Sequence, residues 1–485
     1  MTTLVTTSMT GPLARRLTAL LSPLIAAACA VGPDYRPPDS AAVVPTSYSS
    51  SDAAVTPSAP ADHWWTQLGD PVLDALINDA LSGNPDLAAA EARIQQSRAL
   101  ARAAGADFWP SINASGRVSR DKLSRNGENL ALIPFNPPTT QFTDYRVGVD
   151  ASWEIDLVGR TRREVEAAVA RFGSQTESRN DARVVVAAEV ASAYVEYRVA
   201  AERQALAQRT ADNLTEAARL IELQQRAGLA SMSDLRNAEA DQLAAADAPA
   251  LLDAARRAAL ERLFALTSIP AVTLEARLAA PVAIPQPPSA TPIGVPAELL
   301  KRRPDVRRAE RELAAATADA GVAVAAQFPR LSLTGNGGYD SVRTGDLTSA
   351  ASRYWSIAPQ LTVPIFAAGR LYQQSKAAEA GRQAALASYR SSVLHAIADA
   401  ESAVVQYAGE RRNASSLAGA ASRLEDNAAL QRQRYAAGDV SQVEVLAAER
   451  SANRAADQRS QSAGQSVLDF VALQRALGGG WQSSD

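Results

Sequence analysis

The sequence has little of what catalysis and metal binding require. Its 485 residues include one cysteine and two histidines, and neither His63 nor His395 has a Cys or His neighbour at metal-binding spacing. A single cysteine excludes a disulfide framework and cannot form a structural zinc site by itself. The sequence also lacks a phosphate-binding glycine loop and a nucleophile placed beside a histidine. We therefore expect no enzymatic activity, no metal and no cofactor.

An excess of one charge is also missing. The chain has 49 basic and 52 acidic residues, a net charge of −3, so it has no general positive field that would hold a nucleic-acid backbone. Aromatic residues make up only 5% of the chain, whereas hydrophobic residues of all kinds make up 47%, and alanine is prominent among them. This composition excludes a mostly disordered protein and predicts a mainly helical one.

The amino terminus predicts export from the cytoplasm. Arg15 and Arg16 precede an apolar run over residues 17–28. This run is shorter than the roughly 18 to 20 apolar residues of a membrane-spanning helix, so we interpret residues 1–28 as a secretory signal.

Cys29 follows this signal directly, and cleavage before it matches the pattern of a bacterial lipoprotein. We expect Cys29 to carry a covalent lipid; the alternative is a buried small hydrophobic residue. Resemblance to lipoproteins implies that Ala30 directs the anchor to the outer membrane. Residues 29–62 are rich in Ser, Pro and Ala, which predicts a lipid-anchored, extended tether.

The rest of the chain contains one architecture twice. Asn84-Pro85-Asp86 recurs as Arg303-Pro304-Asp305, 219 residues later, and Ala227-Gly228 recurs as Ala437-Gly438, 210 residues later. We divide the chain into a first repeat at 63–280, a proline-rich linker at 281–296, a second repeat at 297–477 and a flexible tail at 478–485.

Each repeat contains two stretches of strand-like alternation. The predicted strands cover about 111–119, 145–156, 331–340 and 355–366, with apolar residues on one face and polar residues on the other. This pattern is typical of a membrane β-barrel, and a soluble hairpin packed on a helix is the alternative. Because four strands cannot close a barrel, a membrane location requires several subunits to combine their strands.

The helical segments differ greatly in length. We predict helices over 71–105 and 297–326, and two proline-free helices over Arg160–Arg226 and Arg370–Ala436. Each long helix would extend on the order of 100 Å, far beyond a compact domain. Gly228 and Gly438 would end these helices, and Ser231 and Ser441 would cap the helices that return. An ordinary coiled-coil bundle is compatible with the same residues.

This order of elements resembles the TolC-like outer-membrane factor family, specifically its OprM/NodT-type efflux lipoproteins. The resemblance covers nearly all of the mature chain, and no single motif carries it. The motifs are Cys29 followed by Val31-Gly32-Pro33-Asp34-Tyr35, Trp64-Trp65 before Asp70-Pro71, Arg303-Pro304-Asp305, Pro364-Ile365-Phe366 with Gly369-Arg370, and the two glycine turns.

The resemblance implies a mainly α protein with a β-barrel part. Three chains would form one twelve-stranded outer-membrane barrel, continued by a periplasmic α-helical barrel. The helical tips would dock to a periplasmic adaptor and an inner-membrane pump, of the RND type. The protein would conduct drugs or other small toxic compounds passively. We keep two alternatives: a channel for protein secretion, and a lipid-anchored helical scaffold without a pore.

The resemblance also implies a periplasmic gate. The positions that match the family's pore-lining residues are Ser233, Asp234, Tyr435 and Glu444. In a trimer, Asp234 and Glu444 would bring six carboxylates to one constriction and raise their pKa values by like-charge repulsion. The sequence departs from the family pattern at Val440, where one branch of the family has a gate arginine, and at Ala447, where a second aspartate ring is usual.

The glycine turns are the expected adaptor-docking sites. The predicted docking residues are Gly228, Leu229 and Ser231 in the first repeat and Gly438, Asp439 and Ser441 in the second.

Overall fold

The computed structural model describes residues 30–38, 44–48, 55–124 and 140–481. Cys29 and the predicted signal lie outside the described residues. The α-helices are α1 (Pro71–Gly83), α2 (Pro85–Ala106), α3 (Arg160–Arg226), α4 (Met232–Ala246), α5 (Ala248–Thr267), α6 (Ala271–Leu278), α7 (Pro296–Arg302), α8 (Pro304–Ala325), α9 (Arg370–Ala436) and α10 (Gln442–Ala476). The strands are β1 (Val55–Thr56), β2 (Ser111–Lys122), β3 (Gln141–Ile155), β4 (Thr291–Pro292), β5 (Arg330–Ser341) and β6 (Arg353–Thr362). In this part of the chain, no helix combines the length and the apolar character needed to cross a membrane.

The two long helices form as the sequence predicts. Helices α3 and α9 each have 67 residues, and their bounds are those expected from the proline-free segments. An uninterrupted i to i−4 hydrogen-bond ladder of this length requires every interior residue to donate its N–H, which proline cannot do.

Three predicted helices are broken close to a proline. The segment 71–105 divides at Asn84 and the segment 297–326 at Arg303, whose backbones are extended directly before Pro85 and Pro304. In the first repeat the returning helix also divides, at Asp247, because Pro249 has no N–H to donate to the Ala245 carbonyl and its ring would clash with that group in a continuous helix. The second repeat has no proline there and keeps one helix, α10, of 35 residues.

Strands β2, β3, β5 and β6 form an antiparallel sheet in that order. The sheet contains all four predicted strands, but their ends differ from the prediction. Strand β3 starts earlier, at Gln141, and β6 ends at Thr362 instead of continuing to residue 366. Pro364 has no N–H for a ladder bond, which explains the early end of β6.

The register gives the sheet one apolar and one polar face. Apolar residues and glycine stand opposite one another across all four strands, as in the row Ile112, Ala151, Gly335 and Ile357. The neighbouring row on the other face contains Asn113, Asp150, Asn336 and Ser356. This cross-strand agreement is the pattern of a sheet with lipid on one side and water on the other.

The chain divides into two compact units, and the first contains the four-stranded sheet. In this unit Val31 donates its N–H to the Val158 carbonyl over 2.9 Å, and the Asp34 carboxylate pairs with Arg163. Tyr35 packs on a buried alanine cluster made of Ala170, Ala314 and Ala315. The predicted extended tether is therefore wrong for residues 31–35, which are attached to the fold because small side chains leave room for them.

The second unit has an aromatic core. The Trp64 and Tyr407 rings both contact the Phe470 ring at centroid distances of 5.9 Å. Strand β1 pairs in parallel with β4, which fastens part of the predicted tether to the linker between the repeats.

The carboxyl terminus of the described chain also belongs to this second unit. Gly480 donates its N–H to the Asp62 carbonyl over 2.9 Å, and Trp481 is buried with its indole N–H on the Arg302 carbonyl at 3.0 Å. The predicted flexible tail is therefore wrong for 478–481. Glycines at 478 and 479 allow the backbone to approach Arg302 and Trp64 at distances that a Cβ atom would prevent.

Candidate functional site

The candidate site is built on two glycine turns, one after each long helix. Gly228 and Gly438 have φ values of +78° and +83°. Leu229 donates its N–H to the Gln224 carbonyl over 2.8 Å, and Asp439 donates to the Arg434 carbonyl over 2.9 Å. These bonds, with those from the glycine N–H groups three residues back, form the Schellman motif that closes a helix end. Both repeats therefore end their long helix in the same way.

The returning helices α4 and α10 start with matching capping boxes. The Ser231 hydroxyl accepts from the Asp234 N–H over 3.1 Å, and the Asp234 carboxylate accepts from the Ser231 N–H over 2.9 Å. Ser441 and Glu444 make the same exchange at 3.4 and 2.7 Å. The structure confirms both serines as caps, and the reciprocal carboxylate bonds are what the S-x-x-D/E spacing predicts.

The capping bonds also favour the charged form of the two carboxyl groups within one chain. The pKa of Asp234 is lowered by the bonds it accepts from the Ser231 side chain and backbone, and that of Glu444 by the corresponding bonds from Ser441. This direction is opposite to the rise expected from a ring of like charges. The rise depends on three chains around one constriction, whereas the capping bonds act inside each chain.

The structure places the remaining predicted residues on the exposed surface of the same turns. The Leu229 side chain is 81% exposed, and Ser233 and Asp439 are exposed as well. The Tyr435 hydroxyl donates to the Gln442 side-chain oxygen over 3.5 Å, within its own hairpin. Their predicted pore-lining and docking roles stay predictions.

A small cavity separates the two hairpins and brings new residues into the site. Its volume is 210 Å³, and Asp234 and Ala447 both line it. Across it, the Arg450 guanidinium donates to the Asp241 carboxylate over 3.1 Å and so joins α10 to α4. The sequence-based prediction of the site did not include this pair. The repeat offset of 210 aligns Asp241 with Ser451, the neighbour of Arg450, but equivalent positions in two repeats need not touch, so the sequence does not indicate this pair.

Glu449 gives α10 two further partners. Its carboxylate accepts from the Asn213 amide of α3 over 3.0 Å and from the Arg432 guanidinium of α9 over 2.6 Å. Two consecutive residues of α10, Glu449 and Arg450, therefore hold this helix to α3, α4 and α9. We call these contacts the tip ties. Their charged groups can hold a closed arrangement but supply no catalytic chemistry, and within the described ranges no cluster of potential metal ligands is found.

Comparison with known proteins finds relatives over most of the chain. A profile of the family described as "Outer membrane efflux protein" matches residues 76–268 and 295–479. The chain is 32% identical over 452 residues to a pyoverdine export outer membrane protein, OpmQ, of Pseudomonas putida KT2440, covering 92% of this chain and 94% of the relative. It is also 32% identical over 481 residues to the outer membrane protein OprJ of Pseudomonas aeruginosa PAO1, covering 96% of each chain.

Solved structures of outer-membrane channels are similar to this chain over most of its length. The outer-membrane channel OprN superposes with a TM-score of 0.83 at 34% identity, over 93% of this chain and 100% of that one. The open state of the MtrE outer membrane channel of Neisseria gonorrhoeae gives a TM-score of 0.77 at 28% identity, over 93% and 98% of the two chains.

Proposed function

This chain belongs to the outer membrane efflux protein family, and we propose that its hairpin tips serve as both the gate and the docking surface of the channel that the family forms. The protein is the outer-membrane channel component of a tripartite efflux system. Three chains with this fold form a barrel of twelve strands and a helical tunnel. The family is one of channels, so transport here is passage and not catalysis.

The sheet of one chain supports this assembly. Strands β2 and β6 are its two edges, and within the chain neither has a second partner among the described strands. Because neighbouring strands alternate in direction, β2 of one chain is antiparallel to β6 of the next, so three sheets join without a change of pattern. Such closure removes the exposed edges that a membrane cannot solvate.

The gate proposal rests on the tip ties. Arg450 and Glu449 fix α10 against three other helices, and any widening of the passage at the tips requires α10 to separate from at least one of them. The tip ties lie partly exposed, with 39% and 60% of the Arg450 and Asp241 side chains accessible, so each is weak by itself. Weak ties in several copies give a closed state that an adaptor can open.

The docking proposal rests on the two glycine turns, which are exposed and have open space beside each glycine.

Gly228→Val and Gly438→Val should reduce drug export while trimers still assemble. A β-branched residue at positive φ distorts the turn at a cost of about 1–2 kcal/mol, without touching any packed atom. Drug susceptibility and trimer content of the outer membrane are the measurements. Gly419→Val, in open space on α9 but without a positive φ, is the control. Loss of trimers in the turn variants would refute a role confined to docking.

Covalent lipid on Cys29 is part of the same proposal. The support is that residues 31–35, which follow the proposed lipidation site closely, are attached to α3 and its preceding loop. An anchor at Cys29 would therefore be joined to the fold by a short segment. We expect the amino-terminal peptide of the purified protein to have the mass of a triacylated cysteine, and Cys29→Ser to abolish the added mass. An unmodified peptide starting before residue 29 would contradict the anchor.

We also propose a pump of the RND type as the inner-membrane partner and small toxic compounds as the cargo. The relatives support small cargo, since their names include pyoverdine export, antibiotic efflux and toluene efflux. Cross-linking in intact cells, followed by identification of the attached pump, tests the pump class.

A further inference from the structure

A second, larger cavity lies within the second unit, far along α3 and α10 from the glycine turns. Its volume is 880 Å³, and its walls come from α3, α9, the last turns of α10 and the start of α8. This volume is within the roughly 300 to 1,000 Å³ typical of small-molecule sites.

The position of the cavity on α10 indicates which way it opens. Phe470, Leu473 and Gln474 are buried on one face of α10, where Trp64 and the chain end pack against it. Leu468, Ala472 and Arg475 line the cavity from the opposite face, at the i, i+4, i+7 spacing of a helix stripe. Trp64 and the chain end would block the passage if they lay inside the tunnel, so the face of α10 that they cover must be its outer face. The cavity therefore opens toward the lumen.

The charged groups of this cavity differ in their partners. At one end Arg262 donates to Glu196 over 2.5 Å, and at the other Arg303 bonds Asp305 and Asp399 at 2.7 and 3.1 Å. Between them stand charged side chains that make no hydrogen bond or ion pair within the part of the chain that the structure describes: Asp181, Glu189 and Arg475. Burial, followed by the nearby Asp305, raises the pKa of Asp181. Three nearby cavity arginines, Arg308, Arg303 and Arg475, act on the pKa of Asp181 in the opposite direction. The cavity thus presents both signs of charge on side chains that no direct hydrogen bond or ion pair ties up within the described residues.

An apolar strip lies beside these charges. It is formed by residues of α3 and α10: Val184, Val185, Ala188, Leu468, Val471 and Ala472. A purely cationic solute would face the four arginines of the wall, and a purely anionic one would face its five carboxylates. A neutral solute would leave both sets of charges unused. The wall matches a molecule that has an apolar body and one charge of each sign.

We propose that this cavity is a transient binding site, one per chain, for zwitterionic amphiphiles passing along the tunnel. Their cationic group pairs with Glu189, their anionic group with Arg475, and their apolar body lies on the strip between α3 and α10. The proposal rests on the proposed function, because it takes the cavity to open into a conducting lumen.

The test uses the purified, full-length trimer and ciprofloxacin, a fluorescent zwitterion at neutral pH. Replacing both charges, with Glu189→Gln and Arg475→Gln, should weaken ciprofloxacin binding by roughly tenfold. Binding of the neutral solute chloramphenicol should not change. The control replaces one acid and one base on exposed positions outside the cavity, Glu261→Gln with Lys301→Gln, and should bind ciprofloxacin as the wild type does.

Two results would overturn the proposal. One is unchanged ciprofloxacin binding in the double variant; the other is an equal loss of chloramphenicol binding, which would show damage to the fold and not a lost charge pair. The same preparations are recorded in planar bilayers. A variant without the tip ties, Glu449→Gln with Arg450→Gln, is recorded beside them because the wild-type passage is held closed. If this variant conducts and the cavity double variant binds ciprofloxacin normally, this inference alone fails. If neither the wild type nor the variant without tip ties conducts, the proposed function fails with it.

Discussion

Outer membranes of cells that express Gly338→Ala should contain almost no assembled trimer. A Cβ atom at position 338 would lie 2.1 Å from the Val147 carbonyl oxygen and 2.5 Å from the Gly148 Cα. Both are backbone atoms of the paired strand β3, so the methyl group can be accommodated only by separating β3 from β5. Overpacking costs about 1–3 kcal/mol per site, and the barrel contains three copies of this contact. The measurement is the amount of heat-dissociable trimer in outer-membrane fractions.

Gly335→Ala is the matched control for this prediction. It makes the same substitution three residues away in β5, where the nearest atom to a new Cβ is the Ser356 carbonyl oxygen at 3.8 Å. We expect wild-type amounts of trimer from Gly335→Ala. Equal trimer amounts in the two variants would show that β3 and β5 do not approach as closely as described.

Removal of the tip ties should open the channel. Glu449→Gln with Arg450→Gln removes the ion pairs with Arg432 and Asp241. Partly exposed pairs contribute about 0.2–1 kcal/mol each, so six pairs in a trimer total on the order of 3 kcal/mol, which shifts a closed-to-open equilibrium roughly a hundredfold. Single-channel recording in planar bilayers should show a large rise in open probability. Cells should also become sensitive to bulky antibiotics that the outer membrane excludes.

The control for the tip ties removes one pair of charges from the same region. Arg236 and Glu239 form an ion pair of 2.7 Å inside α4, so Arg236→Gln with Glu239→Gln breaks no contact between helices. This variant should conduct as the wild type does. If both double variants conduct equally, the tip ties do not hold the passage closed.

Much of the fold was predictable because the signals are local. The long helices α3 and α9 follow from proline-free sequence, the glycine turns from Gly228 and Gly438, and the four strands from alternation. The breaks at Asn84 and Arg303 are equally local, since each residue precedes a proline. The predicted helices continued through both positions because proline is tolerated in the first turn of a helix, whereas here its restriction on the preceding residue decides the break.

The parts that could not be predicted depend on contacts between distant residues. Trp481 is buried because its indole reaches Arg302, and Gly480 bonds Asp62, more than four hundred residues earlier in the chain. In the candidate site, the capping boxes were visible from their three-residue spacing. The pairing of Arg450 with Asp241 was not, since it joins two hairpins whose relative placement no sequence pattern specifies.

The central claim is that three chains combine their sheets, with β2 of one chain beside β6 of the next. Cysteine cross-linking tests it most directly, with Ser115→Cys on β2 combined in turn with Ser356→Cys, Ala358→Cys or Gln360→Cys on the same face of β6. Within one chain β3 and β5 separate these strands, at about 14 Å, beyond the reach of a disulfide. We predict covalent dimers and trimers on denaturing gels after oxidation for at least one combination, and none for Ser115→Cys alone. Monomers in every combination would contradict the shared barrel.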